Sequence, residues 1–104
     1  MKLSLPALSA LFCLFFIPVQ LYSQTQALVY GEVTDLDTKE TLVGVNIVYG
    51  ENALVISTDI NGKYKLSLDP GTYKFTFTYI GYEPKIKTVT LKEGEIKEMN
   101  IHMK

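Results

Sequence analysis

Asp59, Asn61 and Gly62 carry the spacing in this sequence that comes nearest to a binding motif, because a calcium loop opens with D-x-[DN]-x-[DN]-G. Calcium takes six to eight oxygen ligands, and this run lacks both the third side chain and the distant bidentate glutamate. Asp35 and Asp37 could add oxygens only if their own loop folded alongside. Taken by itself, Asp59 is placed to accept backbone amides of its own turn, as aspartates in turns do. His102 is the one histidine of the chain. A catalytic zinc takes about three protein ligands, so His102, between Ile101 and Met103, reads as an outward-facing polar residue of the last strand. Ser57 and Ser67 have no histidine partner to take a proton, which removes the usual nucleophile–base pairing. No residue is assigned a catalytic, metal-binding or cofactor-binding role, no cofactor is expected, and the chain does not read as an enzyme.

Aromatic rings offer a different chemistry, stacking on sugars. Beyond Ser23 the rings are Tyr30, Tyr49, Tyr64, Tyr73, Phe75, Phe77, Tyr79 and Tyr82. Most fall at core positions with hydroxyls able to reach the rim. Tyr30 and Tyr82 are the two expected at the surface, so a carbohydrate-binding module stands as the alternative function. Charge argues against other partners. Ten basic and 11 acidic residues give a net charge of −1, and the cations are lysines interspersed with acids. No basic stripe follows a phosphate backbone, so no nucleic-acid partner is expected. No amphipathic basic helix suits an anionic membrane surface either.

The first residues belong to export and not to the fold. Lys2 precedes a nearly unbroken apolar run from Leu3 to Val19, which Pro18 breaks, and the small or polar Gln20, Ser23, Gln24 and Thr25 follow. That is the order of a secretory signal peptide. Residues 1–23 are read as the signal, cut after Ser23 or, alternatively, after Ala27, leaving residues 24–104 as one domain. A permanent anchor competes with this reading, but a spanning helix needs about 20 apolar residues and Pro6 and Pro18 leave a shorter clean segment. Cys13, the one cysteine, sits in mid-run after Phe12, where lipid attachment would want a small residue. With it removed, the mature chain has no disulfide or thiolate site, and its core alone must hold it.

Past Gln26 the apolar period is two. Seven strands are expected: about 28–33, 42–49, 53–58, 63–68, 74–79, 85–91 and 95–103. Asn61-Gly62 and Asp69-Pro70-Gly71-Thr72 read as tandem hairpin turns, the second of type II. Two parities fail: Ile86 is out of phase with Val89 and Leu91, and Ile96 with Met99 and Ile101. One of the two is expected to be a bulge. Short strands near ten residues apart, each with one apolar face, point to an antiparallel β-sandwich of two packed sheets.

Gly31-Glu32-Val33-Thr34-Asp35, Thr38, Glu40, Leu42-Val43-Gly44-Val45-Asn46-Ile47, Thr58-Asp59-Ile60-Asn61-Gly62-Lys63-Tyr64, Pro70-Gly71-Thr72-Tyr73 and Tyr79-Ile80-Gly81-Tyr82 occur in order. Together they resemble the carboxypeptidase regulatory-like (CarboxypepD_reg-like, peptidase-associated) domain over residues 28–103. The resemblance implies a transthyretin-like, prealbumin-type seven-stranded sandwich with a non-catalytic accessory role. After a signal peptide it further implies the periplasmic N-terminal domain of a TonB-dependent outer-membrane receptor. This sequence carries no plug, barrel or TonB-box-like segment, so it reads either as a piece of such a receptor or as a free-standing copy. The expected partner is a protein of the cell envelope, a receptor plug and barrel or an associated surface protein, and the expected location is the periplasm or outer membrane, or secretion.

Overall fold

The computed structural model describes residues 25–104. The signal read over residues 1–23, its cut after Ser23, and Cys13 lie outside the described residues. Eight strands follow in order: β1 (Ala27–Asp35), β2 (Asn46–Tyr49), β3 (Leu54–Ser57), β4 (Lys63–Leu68), β5 (Gly71–Thr78), β6 (Lys85–Leu91), β7 (Ile96–Glu98) and β8 (Ile101–Met103). They form two sheets. One has β1 at its centre, with β4 on one side and β7 and β8 on the other; the second runs β3-β2-β5-β6. The expected sandwich is present. Its core lies between the sheets, with Phe75, Phe77, Ile47, Leu91, Ile101, Met103, Val29, Val33 and Val45 fully buried. Alternation produces this arrangement: in β4, Tyr64 and Leu66 face inward while Lys63, Lys65 and Ser67 face solvent.

Three expectations need correction. First, the sandwich is not wholly antiparallel. β1 pairs in parallel with β7 and β8, Leu28 opposite Ile96 and Asp35 opposite Met103. The chain returns to β1 only after passing through the other sheet, and so arrives in the same direction. Second, the two turns are not hairpins. β3 pairs with β2 and β4 with β1, while β5 belongs to the β2 sheet. Each turn therefore carries the chain across from one sheet to the other. Turn chemistry reports that the chain reverses, but not which sheet receives the next strand. Hairpins do join β2 to β3 and β5 to β6.

The third concerns the out-of-phase residues, neither of which marks an inserted residue. Seven successive pairs join β5 to β6 without a slip. The β1 register is the same before and after the break between β7 and β8. Ile86 and Ile96 simply lie on the outer faces, 54% and 71% exposed, as single surface apolar residues commonly do. The eighth strand arises because the last expected strand is interrupted at Met99 and Asn100. There the Met99 amide still donates to the Tyr30 carbonyl at 2.8 Å, but the Glu32 amide turns to Asn100 Oδ1 at 3.0 Å. The Met99 carbonyl leaves the ladder and accepts the buried Tyr64 hydroxyl at 2.5 Å.

Candidate functional site

The carboxylates singled out by spacing are consumed by their own backbone. Asp59 Oδ1 accepts the amides of Asn61 at 2.8 Å and Lys63 at 2.9 Å. Those bonds, the Lys63 amide first, hold its carboxyl below the usual range. Main-chain bonds from Gly62 N–H to Asp59 O and from Asp59 N–H to Lys63 O, each 2.9 Å, close the same turn. Only Gly62 takes positive φ, at 74°. Asp35 does the same work one loop away: its Oδ1 accepts the Asp37 and Thr38 amides at 2.8 and 2.9 Å. Its Oδ2 accepts the Tyr82 hydroxyl at 2.6 Å. That hydroxyl, then the Thr38 and Asp37 amides, lower the Asp35 pKa, and the same bond, with burial, pushes Tyr82 up to about 12. Among the described residues no three His, Cys, Asp or Glu side chains gather to hold a metal ion.

His102 is exposed on β8, its Nδ1 2.9 Å from the Thr34 hydroxyl. Ser57 donates to Asn46 Oδ1 at 3.3 Å, and Ser67 lies exposed on β4. The two tyrosines expected at the surface separate. Tyr30, 37% exposed, borders the open side between β3 and β4. Tyr82 is only half-buried and not free: its hydroxyl is fixed to Asp35, its ring lies 5.8 Å from Tyr79 at 35°, and it borders a different depression beside Pro84 and Lys104. They do not share one stacking platform. Two more tyrosine hydroxyls are structural, Tyr64 on the Met99 carbonyl and Tyr73 on the Asp69 carbonyl at 2.6 Å. Burial raises the pKa of both, with the Asp69 charge adding to the effect at Tyr73.

What sequence reasoning missed is a groove. The sheets part along the side where β3 and β4 lie, leaving a cleft of about 660 Å³ lined by Tyr30, Ile56, Ser57, Asp59, Lys63 and Tyr64 among others. Leu54 and Ile56 point into the space between the sheets, yet Leu54 stays 55% exposed and Ile56 half-buried. The groove depends on β3 and β4 belonging to opposite sheets, which no local pattern encodes. One signal was available: Leu54-Val55-Ile56-Ser57 is a strand without a charge, followed in the chain by the lysine-bearing β4. Chemically, the site offers apolar side chains, two lysines and unpaired strand backbone. It is suited to holding a chain and has no nucleophile–base pair with which to cut one.

A family model described as the CarboxypepD_reg-like domain matches residues 29–104. No curated protein sequence matches significantly. Solved structures with the same fold include the Bacillus anthracis TIE protein (21% identity, TM-score 0.62, covering 76% of this chain and 17% of that one). A Bacteroides uniformis protein proposed to bind carbohydrate is another (17%, TM-score 0.58, covering 76% and 41%). A third is 3-chlorocatechol 1,2-dioxygenase of Rhodococcus opacus (12%, TM-score 0.61, covering 78% and 60%). The chain spans less than two thirds of each of these proteins. At such identities they show the β-sandwich and nothing of its use.

Proposed function

The chain belongs to the CarboxypepD_reg-like domain family, and from that membership we propose that it is a non-catalytic accessory module of the cell envelope. It is exported by its N-terminal signal and serves a TonB-dependent outer-membrane receptor system, as the receptor's N-terminal domain or as a free-standing relative. It docks on an envelope protein by strand addition, in which backbone hydrogen bonds supply affinity. One observation carries the reading. The carboxylates and hydroxyls best able to do chemistry, Asp35, Asp59 and Tyr82, are spent on fixing loops, while a sheet edge and the groove beside it stay open.

Fractionation of a Gram-negative host expressing the tagged chain, followed by cross-linking, tests this. The expected result is recovery from the periplasmic or outer-membrane fraction, cross-linked to a β-barrel receptor of the TonB-dependent type. Retention in the cytoplasm, or recovery free of any such receptor, would count against it. The alternative is a secreted or surface carbohydrate-binding module. It draws support from the carbohydrate-linked structural relative and from Tyr30 at the mouth of the groove. A glycan array separates the two readings, and silence across it removes the second.

A further inference from the structure

The two sheets differ in width. Three strands lie abreast in one, β7 and β8 sharing the place beside β1, and four in the other. The surplus falls at β3. Its inward residues sit opposite Tyr49 and the fully buried Ile47, yet Leu54 is 55% exposed and Ile56 half-buried. The groove beside them is the place that a further strand next to β4 would take.

β4 has backbone to offer such a strand. The Val33 amide donates to the Gly62 carbonyl, and β1 and β4 pair antiparallel in the adjoining register. In such a ladder successive residues alternate between bonding the neighbour and facing away. Tyr64 and Leu66 therefore bond β1, while Lys63, Lys65 and Ser67 turn to the groove side. Lys63 is spent on its own turn, its amide on Asp59 Oδ1 and its carbonyl on the Asp59 amide. That leaves the N–H and C=O groups of Lys65 and Ser67 to be bonded from the groove. The other edges suit addition less well. On β6, Lys85 and Lys87 fall opposite the buried Phe77 and Phe75, and inward-pointing charge guards an edge. β7 and β8 have three residues each and are parted at Met99 and Asn100. A strand added to β3 would widen the overhang and leave Leu54 and Ile56 uncovered.

We propose that an extended segment of the envelope partner adds antiparallel to β4, with an acidic residue opposite Lys65 and apolar residues on both sides of it. This deepens the strand addition proposed above and rests on it. The groove dictates each part of the pattern. Residues opposite Tyr64 and Leu66 point inward, where apolar side chains meet Ile56 and Leu54 across the roughly 10 Å between packed sheets. The residue opposite Lys65 points outward beside its ammonium group and exchanges both backbone bonds with it. Lys63 has Glu32 directly across on β1, whereas Lys65 has Tyr30. Opposite charges across a ladder attract and like charges repel, so Lys65 favours a carboxylate in the incoming strand and refuses a lysine.

Amide chemical shifts of the isotope-labelled full chain, titrated with the end-capped peptide Thr-Val-Glu-Val-Thr to about 2 mM, test this at a concentration suited to so short an interface. Shifts are expected to centre on Lys65 and Ser67 and to extend to Leu54 and Ile56. Lysine in place of the peptide's glutamate should weaken binding about fivefold, since an attraction becomes a repulsion. Methylating the glutamate's backbone nitrogen, the donor to the Lys65 carbonyl, should abolish binding. Methylating that of the next valine, which faces away, should not. Lys65→Glu is expected to reverse the preference between the two peptides, and Lys87→Glu on β6 to leave it unchanged. Silence toward every peptide, shifts centred on β3 or β6, equal binding of both peptides, or an unreversed preference in Lys65→Glu overturns the proposal. A receptor cross-linked through another face would also overturn it and leave the accessory role standing. Capture of the glutamate peptide at β4 by a chain never recovered with a receptor would support the pairing and remove that role.

Discussion

The Met99 carbonyl stands where Gly31 would carry a side chain, and a Cβ there would overlap it. The Tyr64 hydroxyl completes the arrangement from the other side. Gly31→Ala must push backbone against backbone, so it should cost about 1–3 kcal/mol, toward the upper end because neither partner is a flexible side chain. Tyr64→Phe keeps the ring's edge-on packing against Phe77 at 5.8 Å but leaves a buried carbonyl unpaired, at about 1–3 kcal/mol. Urea midpoints check both; a neutral Gly31→Ala would show that the strands can separate there at no cost. The bond between Asp35 and Tyr82 carries a pH signature of its own. The lowered pKa of Asp35 makes its contribution complete above the ordinary carboxylate range and lost as pH falls through the lowered value. Tyr82, raised from 10.0 to about 12, contributes fully below pH 10 and loses that contribution as pH climbs toward 12. The stability gap between the native chain and Tyr82→Phe should thus be flat from about pH 5 to pH 9 and shrink on both sides. It should shrink only in part on the acid side, where the Asp37 and Thr38 amides still favour the carboxylate. A gap independent of pH would mean that the bond does not form in solution.

Among the elements, the turn at Asp59–Lys63 separates what was legible from what was not. Its residue types announced a reversal capped by Asp59, and the carboxylate does accept two amides there. The destination of the next strand was not announced, because it is decided by which sheet buries Tyr64 and Leu66. Gly62 reflects that wider context. At φ 74° its Cβ would lie 2.7 Å from Thr41 Cβ and 3.2 Å from the Val33 carbonyl, groups of the opposite loop and of β1. Gly81, at φ 88°, has open space around it. Alanine at Gly81 should therefore cost only the left-handed backbone penalty, about 1–2 kcal/mol. Alanine at Gly62 should cost that plus a clash, typically about 1–3 kcal/mol. Melting temperatures of the two variants compare them directly, and equal losses would show that the turn yields without disturbing Thr41. The broken parity at Ile96 was legible as an anomaly and misleading as to cause: the β1 register is unchanged across the break and Ile96 simply faces outward, while the interruption at Met99 itself is set by Gly31 and Tyr64, distant in sequence.

For the molecule as a whole, alternation and turn residues revealed two apolar-faced sheets, while the groove stayed hidden because it exists only once β3 and β4 are assigned to different sheets. The closure of the sandwich by its own ends was hidden for the same reason: β1 sits between β4 and the C-terminal β7 and β8. This closure bears on where the proposed export signal would be cut. The Thr25 amide donates to Glu93 Oε1 at 3.0 Å, and the Thr25 carbonyl accepts from Gly94. Gln26 reaches Asp69 at 3.2 Å, and Ala27 is fully buried opposite Leu68. A cut after Ala27 would delete all of these and shorten the central strand at the end where it first meets β7. A cut after Ser23 keeps every one. The mature chain is therefore expected to start at Gln24, which intact-mass measurement of exported protein reads directly. A chain made to begin at Leu28 should melt at a lower temperature than one beginning at Gln24. If the two melted alike, the clamp at Thr25 would be idle and the choice of cut would rest on the leader alone.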